Sequence, residues 1–125
     1  MKFATGFAVA AALTLGLGIG AAQAGGDAAK GEKVFKKCKA CHTIEDGGKH
    51  KAGPNLFGIV GKKAGSTDFK KYSGLKGSDV VWTEENLDKW LTNPKKFIGK
   101  KTSMVIKIKK PDERMDVIEY LKTQK

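Results

Sequence analysis

The sequence predicts a small domain built mainly from helices. Three segments place their apolar residues at helical spacing: one near residue 30, one over residues 83–91 and one that starts at Pro111. Each of them begins with residues that favour a helix N-terminus. The chain between these segments has no internal repeat and carries many glycines and polar residues, which predicts loops.

The first 24 residues, Met1 to Ala24, predict a cleaved secretory signal peptide. Lys2 gives a short positive start, an apolar run from Phe7 to Ile19 follows, and Ala22-Gln23-Ala24 forms a small-x-small cleavage site. A retained membrane anchor is the alternative, and the glycines within the run argue against it. Cleavage leaves one domain of residues 25–125.

Lysine dominates the charge of the chain. There are 24 basic and 13 acidic residues, a net charge of +11 at pH 7, and Arg114 is the single arginine. Nucleic acid is a poor partner for such a chain, because arginine is the preferred base-reading side chain. Strongly hydrated lysine charges suit transient docking on an acidic protein surface instead. The alternative is that the charge only keeps the protein soluble.

The first helix is predicted from about Ala28 to Lys39, with Asp27 as its N-cap. Val34, Phe35 and Cys38 form one apolar stripe along it. We expect Phe35 to pack in the core. A glycine on the same side, Gly31, weakens a helix unless another helix approaches closely. We therefore expect a helix to pack against Gly31.

The motif Cys38-Lys39-Ala40-Cys41-His42 has the C-x-x-C-H spacing of c-type haem attachment. Each thiol can add across one vinyl group of a porphyrin, and a two-residue gap lets both sulfurs reach neighbouring edges of it. His42 then points its imidazole at the iron, for which imidazole is a good ligand. A chain this short gains core by packing around such a cofactor.

Three other interpretations of this motif remain open. A disulfide between Cys38 and Cys41 would close a very small loop and constrain little of the unfolded chain. A thioredoxin-type dithiol is expected beside a βαβ pattern, which is not present nearby. A zinc site lacks a second ligand pair, because the only other histidine is His50. The motif favours haem attachment, with the dithiol as the chief alternative.

The loop after the motif offers candidate contacts for a cofactor. Metal-bound histidines usually donate their second ring N–H, and the Pro54 carbonyl is a candidate acceptor for His42. Leu56 and Phe57 are predicted to form cavity wall. For His50 we expect a structural hydrogen bond to a backbone carbonyl rather than a ligand or pH-switch role.

Two aromatic residues further on, Tyr72 and Trp82, carry polar hydrogens on apolar rings and need partners when buried. Haem propionates would be such partners, and ordinary core packing is the alternative.

Two more helices are predicted. The second starts behind the N-cap Thr83 and is stopped by Asn93-Pro94; its buried residues are Leu87, Trp90 and Leu91. The last begins at Pro111, a residue favoured in the first turn. Its predicted apolar face consists of Met115, Ile118 and Leu121, flanked by Val117 and Tyr120. The first helix, with Gly31 and Phe35, is the natural partner for that face.

Met104 lies in the aperiodic segment between these two helices and is a candidate for the second axial ligand. A thioether is a soft ligand, and methionine opposite histidine raises the potential of a haem. Core packing is the usual role of a methionine, so both interpretations stay open.

Several blocks of this chain, taken together and in order, resemble class I cytochrome c, including bacterial cytochrome c2 and mitochondrial cytochrome c. The resemblance covers almost all of residues 26–125, and the early haem motif separates it from the four-helix cytochromes c-prime. The matching blocks are Gly-Glu-Lys-Val-Phe, Gly-Gly-Lys-His-Lys-Ala-Gly-Pro-Asn-Leu, Trp82-Thr83-Glu84-Glu85, Asn93-Pro94-Lys95-Lys96 and Glu113-Arg114 with Tyr120-Leu121.

The resemblance implies an all-α fold with helices and loops around one covalent haem c and with the first and last helices crossed. It implies thioethers at Cys38 and Cys41, and His42 and Met104 as axial ligands. The Pro54 carbonyl would bond His42, and Tyr72 and Trp82 would contact a propionate.

The resemblance also implies a function. It is that of a soluble, monomeric periplasmic carrier of single electrons, not an enzyme, which connects a cytochrome bc1 complex to a photosynthetic reaction centre or a terminal oxidase. The lysines expected to dock acidic partners are Lys37, Lys39, Lys51, Lys95, Lys96 and Lys101.

Three positions depart from the family pattern. The residues before Met104 read Ile98-Gly99-Lys100-Lys101-Thr102-Ser103, so we expect a rerouted methionine loop. Lys62 stands where the family often has an arginine that contacts a propionate. Trp90 replaces a tyrosine, so a hydroxyl donor near the sulfur is expected to be missing.

Overall fold

The computed structural model describes residues 25–125, which form an all-α domain of four helices. They are α1 (Ala28–Phe35), α2 (Glu84–Thr92), α3 (Pro94–Ile98) and α4 (Pro111–Thr123). The predicted fold class is thereby confirmed. The predicted signal peptide, Met1 to Ala24, lies outside the described residues. Among the described helices, none combines the length and apolar character needed to cross a membrane.

Helix α1 is shorter than the sequence predicts. It begins behind Asp27, whose side chain accepts the Lys30 N–H, and it ends at Phe35 instead of Lys39. The chain then continues in hydrogen-bonded turns, in which the N–H groups of Cys41 and His42 both donate to the Cys38 carbonyl, at 3.0 and 2.9 Å. These turns carry the haem motif away from the helix.

Helices α1 and α4 pack closely at Gly31, as the sequence predicts. A Cβ atom at Gly31 would lie 1.9 Å from the Asp116 carbonyl oxygen and 2.8 Å from Tyr120 Cβ. The rings of Phe35 and Tyr120 are 5.5 Å apart, and Phe35 is fully buried. No side chain larger than hydrogen fits where the two helices touch.

The assignment of Met115 to the core is wrong, because this side chain is exposed. The buried face of α4 consists of Val117, Ile118, Tyr120 and Leu121. These four residues already fill the contact with the rest of the domain, and Met115 lies at the edge of that face.

Helix α2 starts and ends as predicted, whereas α3 was not expected. The Thr83 hydroxyl accepts the Asn86 N–H at 3.1 Å, and Leu87, Trp90 and Leu91 are buried. Asn93 ends α2 and also caps α3, because its side-chain oxygen accepts the Lys96 N–H at 3.1 Å. A helix of five residues is too short to show apolar periodicity in the sequence.

Long loops complete the core. Residues 36–83 and 99–110 are mostly irregular, yet they supply buried side chains that pack with those of the helices: Ile44, Ile59, Ala64, Leu75, Trp82 and Ile108. Loops and helices together enclose one central cavity.

Candidate haem-binding site

The central cavity encloses about 260 Å³ and is lined by residues of α1, α2, α4 and both long loops. Eight of the nine residues that were predicted to attach the haem, bind its iron or surround it line this cavity: Cys38, Cys41, His42, Pro54, Leu56, Tyr72, Trp82 and Met104. Most of the remaining lining is aliphatic or aromatic. The fold therefore brings together side chains that lie up to 66 positions apart in the sequence.

His42 is held by the loop that follows it. Its Nδ1 atom lies 2.7 Å from the Pro54 carbonyl oxygen. Because a carbonyl only accepts, Nδ1 carries the hydrogen and Nε2 keeps a free lone pair. Burial lowers the pKa of His42 below its ordinary value of 6.5, against the opposing effect of the Pro54 carbonyl. At neutral pH the ring is in the form that binds iron.

The loop contacts the imidazole so closely that it requires Gly53. A Cβ atom there would lie 2.4 Å from His42 Cε1. The Gly53 N–H donates to the Cys41 carbonyl at 2.7 Å, which fixes the loop to the haem motif. The sequence contained Gly53 in a recognisable block, but only the folded loop reveals this role.

The two cysteines are both half-buried. Burial raises the pKa of Cys38 to about 11, with a further contribution from Cys41. A reactive dithiol depends on a lowered thiol pKa, so this environment disfavours the dithiol alternative. Within residues 25–125, no three His, Cys, Asp or Glu side chains gather in a metal-binding cluster, so the zinc interpretation lacks a set of ligands there.

Met104 reaches the same cavity, and its sulfur accepts a hydrogen bond. The Trp90 indole N–H donates to Met104 Sδ at 3.2 Å. Among residues 25–125 no hydroxyl donates to this sulfur, in keeping with the sequence, and the indole N–H of Trp90 donates in its place. A thioether sulfur has two lone pairs, so the second remains available for a metal ion.

Tyr72 and Trp82, the two candidate propionate partners, differ in the hydrogen bonds that they form within the protein. The Tyr72 hydroxyl is in a short hydrogen bond with the Thr67 hydroxyl, and its ring packs edge-on against Phe69 with centroids 5.0 Å apart. Trp82 is buried against Trp90, and among residues 25–125 its indole N–H has no acceptor. Sequence analysis did not find Thr67 or Phe69, since neither belongs to a motif.

The expectation for His50 was correct in its structural role and wrong in its partner. His50 Nδ1 accepts the Asn55 N–H at 3.0 Å, so its Nε2 carries the hydrogen and donates to Asp68 at 2.6 Å. It thus bonds a backbone amide and a carboxylate rather than a carbonyl. This histidine ties the loop around Pro54 to the loop around Asp68.

The prediction that Leu56 and Phe57 form part of the cavity wall is correct for only one of the two residues. Leu56 lines the cavity, whereas Phe57 does not. Lys62, which stands where the family often has arginine, has its amine 3.4 Å from the Phe57 carbonyl oxygen.

The six candidate docking lysines are all exposed. Lys51 donates to the Lys39 carbonyl at 2.6 Å, which brings these two residues together, and Lys37 pairs with Glu113 at 3.0 Å. The other three line a second, shallower groove beside Met104: Lys95, Lys96 and Lys101.

The chain matches the family model for cytochrome c over residues 28–125. It is 48% identical over 98 residues to cytochrome c of Theileria annulata, a match covering 78% of this chain and 85% of that protein. It is 45% identical over 117 residues to cytochrome c2 of Rhodospirillum rubrum, covering 85% and 87% of the two chains.

Solved structures give the same result. Cytochrome cH from Methylobacterium extorquens superimposes with a TM-score of 0.71 at 43% identity, covering 78% of this chain and 99% of that one. Cytochrome c2 from Rhodospirillum centenum gives a TM-score of 0.75 at 35% identity, covering 79% and 98%.

Proposed function

This chain belongs to the cytochrome c family of electron carriers with one covalent haem c, and we propose that it serves as a periplasmic carrier of single electrons. In this proposal it receives electrons from a cytochrome bc1 complex and delivers them to a photosynthetic reaction centre or a terminal oxidase. The observation that carries the proposal is the meeting of His42 and Met104 with both motif cysteines in one apolar cavity.

In this proposal each site residue has a defined task. Cys38 and Cys41 would tether the haem, and His42 and Met104 would bind its iron. When bound, the haem supplies a one-electron Fe(II)/Fe(III) couple. Pro54 keeps His42 in the tautomer that leaves Nε2 free. With His42 and Met104 both bound to the iron, no position would be left there for a substrate, as a carrier requires.

The apolar lining supports the same role. Burial of a redox centre in a rigid, water-poor site reduces the reorganisation that accompanies each change of charge. Trp82, with an indole N–H that is free of protein acceptors in the described chain, is the better candidate for a propionate contact. Tyr72 reaches the same region with Thr67 as its partner.

Export to the periplasm is supported by the sequence of Met1 to Ala24, which has the three parts of a signal peptide. The excess of lysine supports docking on acidic redox partners. Such contacts form quickly, are weak and depend on salt. We propose that the carrier is monomeric, and that Lys95, Lys96 and Lys101, beside Met104, contribute to docking along with Lys37, Lys39 and Lys51.

The test is to express the full chain in cells that mature c-type cytochromes. We expect a processed product in the periplasmic extract that starts at Gly25 and retains haem after denaturing electrophoresis. The oxidised protein should show the weak far-red absorption band of methionine-bound Fe(III). A colourless product would overturn the haem assignment, and a coloured product without that band would indicate an open sixth position instead.

The partners require a separate experiment. Membranes of the source organism should oxidise the reduced protein rapidly at low salt and slowly at high salt. Replacement of Lys95, Lys96 and Lys101 by glutamate should slow this reaction. The same change at Lys30, Lys33 and Lys36, which are exposed, line neither the cavity nor the groove and alter the net charge equally, serves as the matched control. Equal slowing in both variants would contradict the proposed docking surface.

A further inference from the structure

We propose that Arg114 is a positioning residue that keeps the Met104 sulfur in the cavity by fixing the end of the segment that carries it. This inference rests on the proposed role of Met104 as an axial ligand. It concerns a contact between α4, α2 and the methionine segment that no motif in the sequence predicts.

The methionine segment, residues 100–107, has little support of its own. In the described chain, none of its N–H or C=O groups takes part in a backbone–backbone hydrogen bond. The Met104 N–H has only the neighbouring Thr102 hydroxyl, at 3.3 Å. The position of the sulfur therefore depends on its bond with Trp90 and on where the two ends of the segment are anchored.

The two ends are anchored differently. At the first end, Gly99 closes α3 in a left-handed conformation, with φ of 69°. At the second end, Ile108 is 2% exposed, and its N–H donates to the Leu91 carbonyl of α2 at 2.8 Å. Ile108 is only four residues beyond Met104, so a displacement of Ile108 passes directly to the sulfur.

Arg114 holds this second end. Its Nη1 atom donates to the carbonyl of Ile108 at 2.8 Å and to that of Lys109 at 3.1 Å, while Nε donates to Asp88 on α2 at 2.7 Å. The Arg114 side chain is 11% exposed and that of Asp88 is 44% exposed, so the guanidinium is largely buried while its carboxylate partner partly faces water. One guanidinium thus joins α4, α2 and the end of the methionine segment.

Only an arginine can make this set of contacts. Its planar fork presents several N–H groups in fixed directions, so it can bond a carboxylate and two carbonyls at once, whereas a lysine offers a single point of charge. Asp88 compensates the charge and orients the fork. This is also the only arginine in the sequence, in a chain that otherwise uses lysine for its positive charges.

The consequence concerns how often the sulfur leaves the iron. A foreign ligand reaches the metal only in the fraction of molecules whose methionine segment has opened, so its apparent affinity rises in proportion to that fraction. Loosening the second end should increase the open fraction. The same change should leave His42, held by a different loop, undisturbed.

The test measures binding of imidazole to the oxidised holoprotein, followed by loss of the far-red band. Arg114→Gln and Asp88→Asn should each bind imidazole about tenfold more tightly than the wild type, because charge-assisted bonds that favour the closed form are lost. The imidazole affinity of Arg114→Lys should lie between those of the wild type and Arg114→Gln, since lysine keeps the positive charge beside Asp88 but lacks the planar fork. Haem content, measured after denaturation, should be equal in all of them.

The matched control is Glu113→Gln. This substitution on α4 breaks the ion pair with Lys37, and within residues 25–125 Glu113 has no hydrogen bond or ion pair to the methionine segment. Its imidazole affinity should stay within about twofold of the wild type. In a second measurement, the Ile108 amide should exchange its hydrogen faster in Arg114→Gln than in this control.

The possible results are distinct. Unchanged imidazole affinity and unchanged exchange at Ile108 in Arg114→Gln and Asp88→Asn would overturn the inference while leaving the proposed function intact. A wild-type protein without the far-red band would overturn both, because Met104 would then not be a ligand. If Arg114→Gln fails to fold, Asp88→Asn and Arg114→Lys decide the question against Glu113→Gln.

Discussion

The two sides of the cavity are built in opposite ways. On the histidine side, His42 is fixed by the Pro54 carbonyl, by the hydrogen bond from Gly53 to Cys41 and by the turns of the motif. On the methionine side, residues 100–107 form no backbone–backbone hydrogen bonds in the described chain, and Met104 is held by Trp90 and by its flanks.

This difference indicates which side of the cavity can open more easily. A side chain whose loop is hydrogen-bonded throughout cannot move without breaking many bonds, whereas a segment anchored at its ends can open at low cost. The histidine side should therefore determine whether the haem is held at all. The methionine side should determine the potential and the access of other ligands.

The largest difference between the two sides is expected when each proposed ligand is removed in turn. His42→Ala should yield little holoprotein, because the turn and loop around the ring lose their common partner. Met104→Ala should keep covalent haem but lose the far-red band. Haem stain normalised to protein, together with absorption spectra, measures both. Similar haem yields from the two variants would contradict the asymmetry.

A smaller disturbance of the histidine side is Gly53→Ala. The new Cβ would lie 2.4 Å from His42 Cε1, so the loop or the ring must move, at a cost of about 1–3 kcal/mol in the free energy of unfolding. Denaturant unfolding of the holoprotein measures it. Gly47→Ala is the control, with φ of 74° and open space around it, and should cost about 1 kcal/mol from the backbone alone.

On the methionine side, Trp90→Phe should lower the reduction potential by roughly 20–40 mV. The indole N–H withdraws electron density from the sulfur and disfavours Fe(III), and loss of one hydrogen bond is worth about 0.5–1 kcal/mol. Potentiometric titration measures the change. Trp90→Tyr, which offers a hydroxyl, should show a smaller fall in potential; an equal fall in both variants would assign the effect to packing instead.

The smallest expected effect concerns the hydrogen bond between His50 and Asp68, which joins two loops. The hydrogen bond from His50 holds the pKa of Asp68 below its ordinary value of 3.8, so the carboxylate contributes stability above that pH. Asp68→Asn should slightly lower the thermal midpoint near pH 6. The difference from wild type should vanish as the pH falls through the lowered pKa.

Asp79→Asn is the control for this exposed carboxylate. Asp79 is fully exposed and pairs only with Lys63, at 3.5 Å, so its loss should leave the midpoint unchanged at either pH. A difference between Asp68→Asn and wild type that persisted at low pH would contradict an origin in the ionised carboxylate.

The sequence predicted most of the histidine side because its signals are local. Cys38, Cys41 and His42 lie within five residues, and Pro54 follows shortly after, so spacing and ligand chemistry were sufficient to bring them together. Ligand chemistry made Met104 a candidate, and the family resemblance then selected it and implied the crossing of the first and last helices. The helix caps at Asp27 and Thr83 were also readable, because a cap depends on only a few neighbouring residues.

Tertiary structure alone decided the features that join distant segments. The hydrogen bond from Trp90 to the Met104 sulfur could not be predicted from the sequence, because the direction of the indole depends on how α2 faces Met104. Neither the partner of His50 nor the exposure of Met115 could be read from periodicity, since each depends on which surfaces meet.

Sequence by itself thus determined the chemistry available to this protein, because ligand type and spacing are properties of the chain. The structure decided how firmly each ligand is held, because that depends on hydrogen bonds between residues far apart in the sequence. Arg114 illustrates the distinction: the chain shows a solitary arginine, and only the fold places its guanidinium between Asp88 and the carbonyls that end the methionine segment.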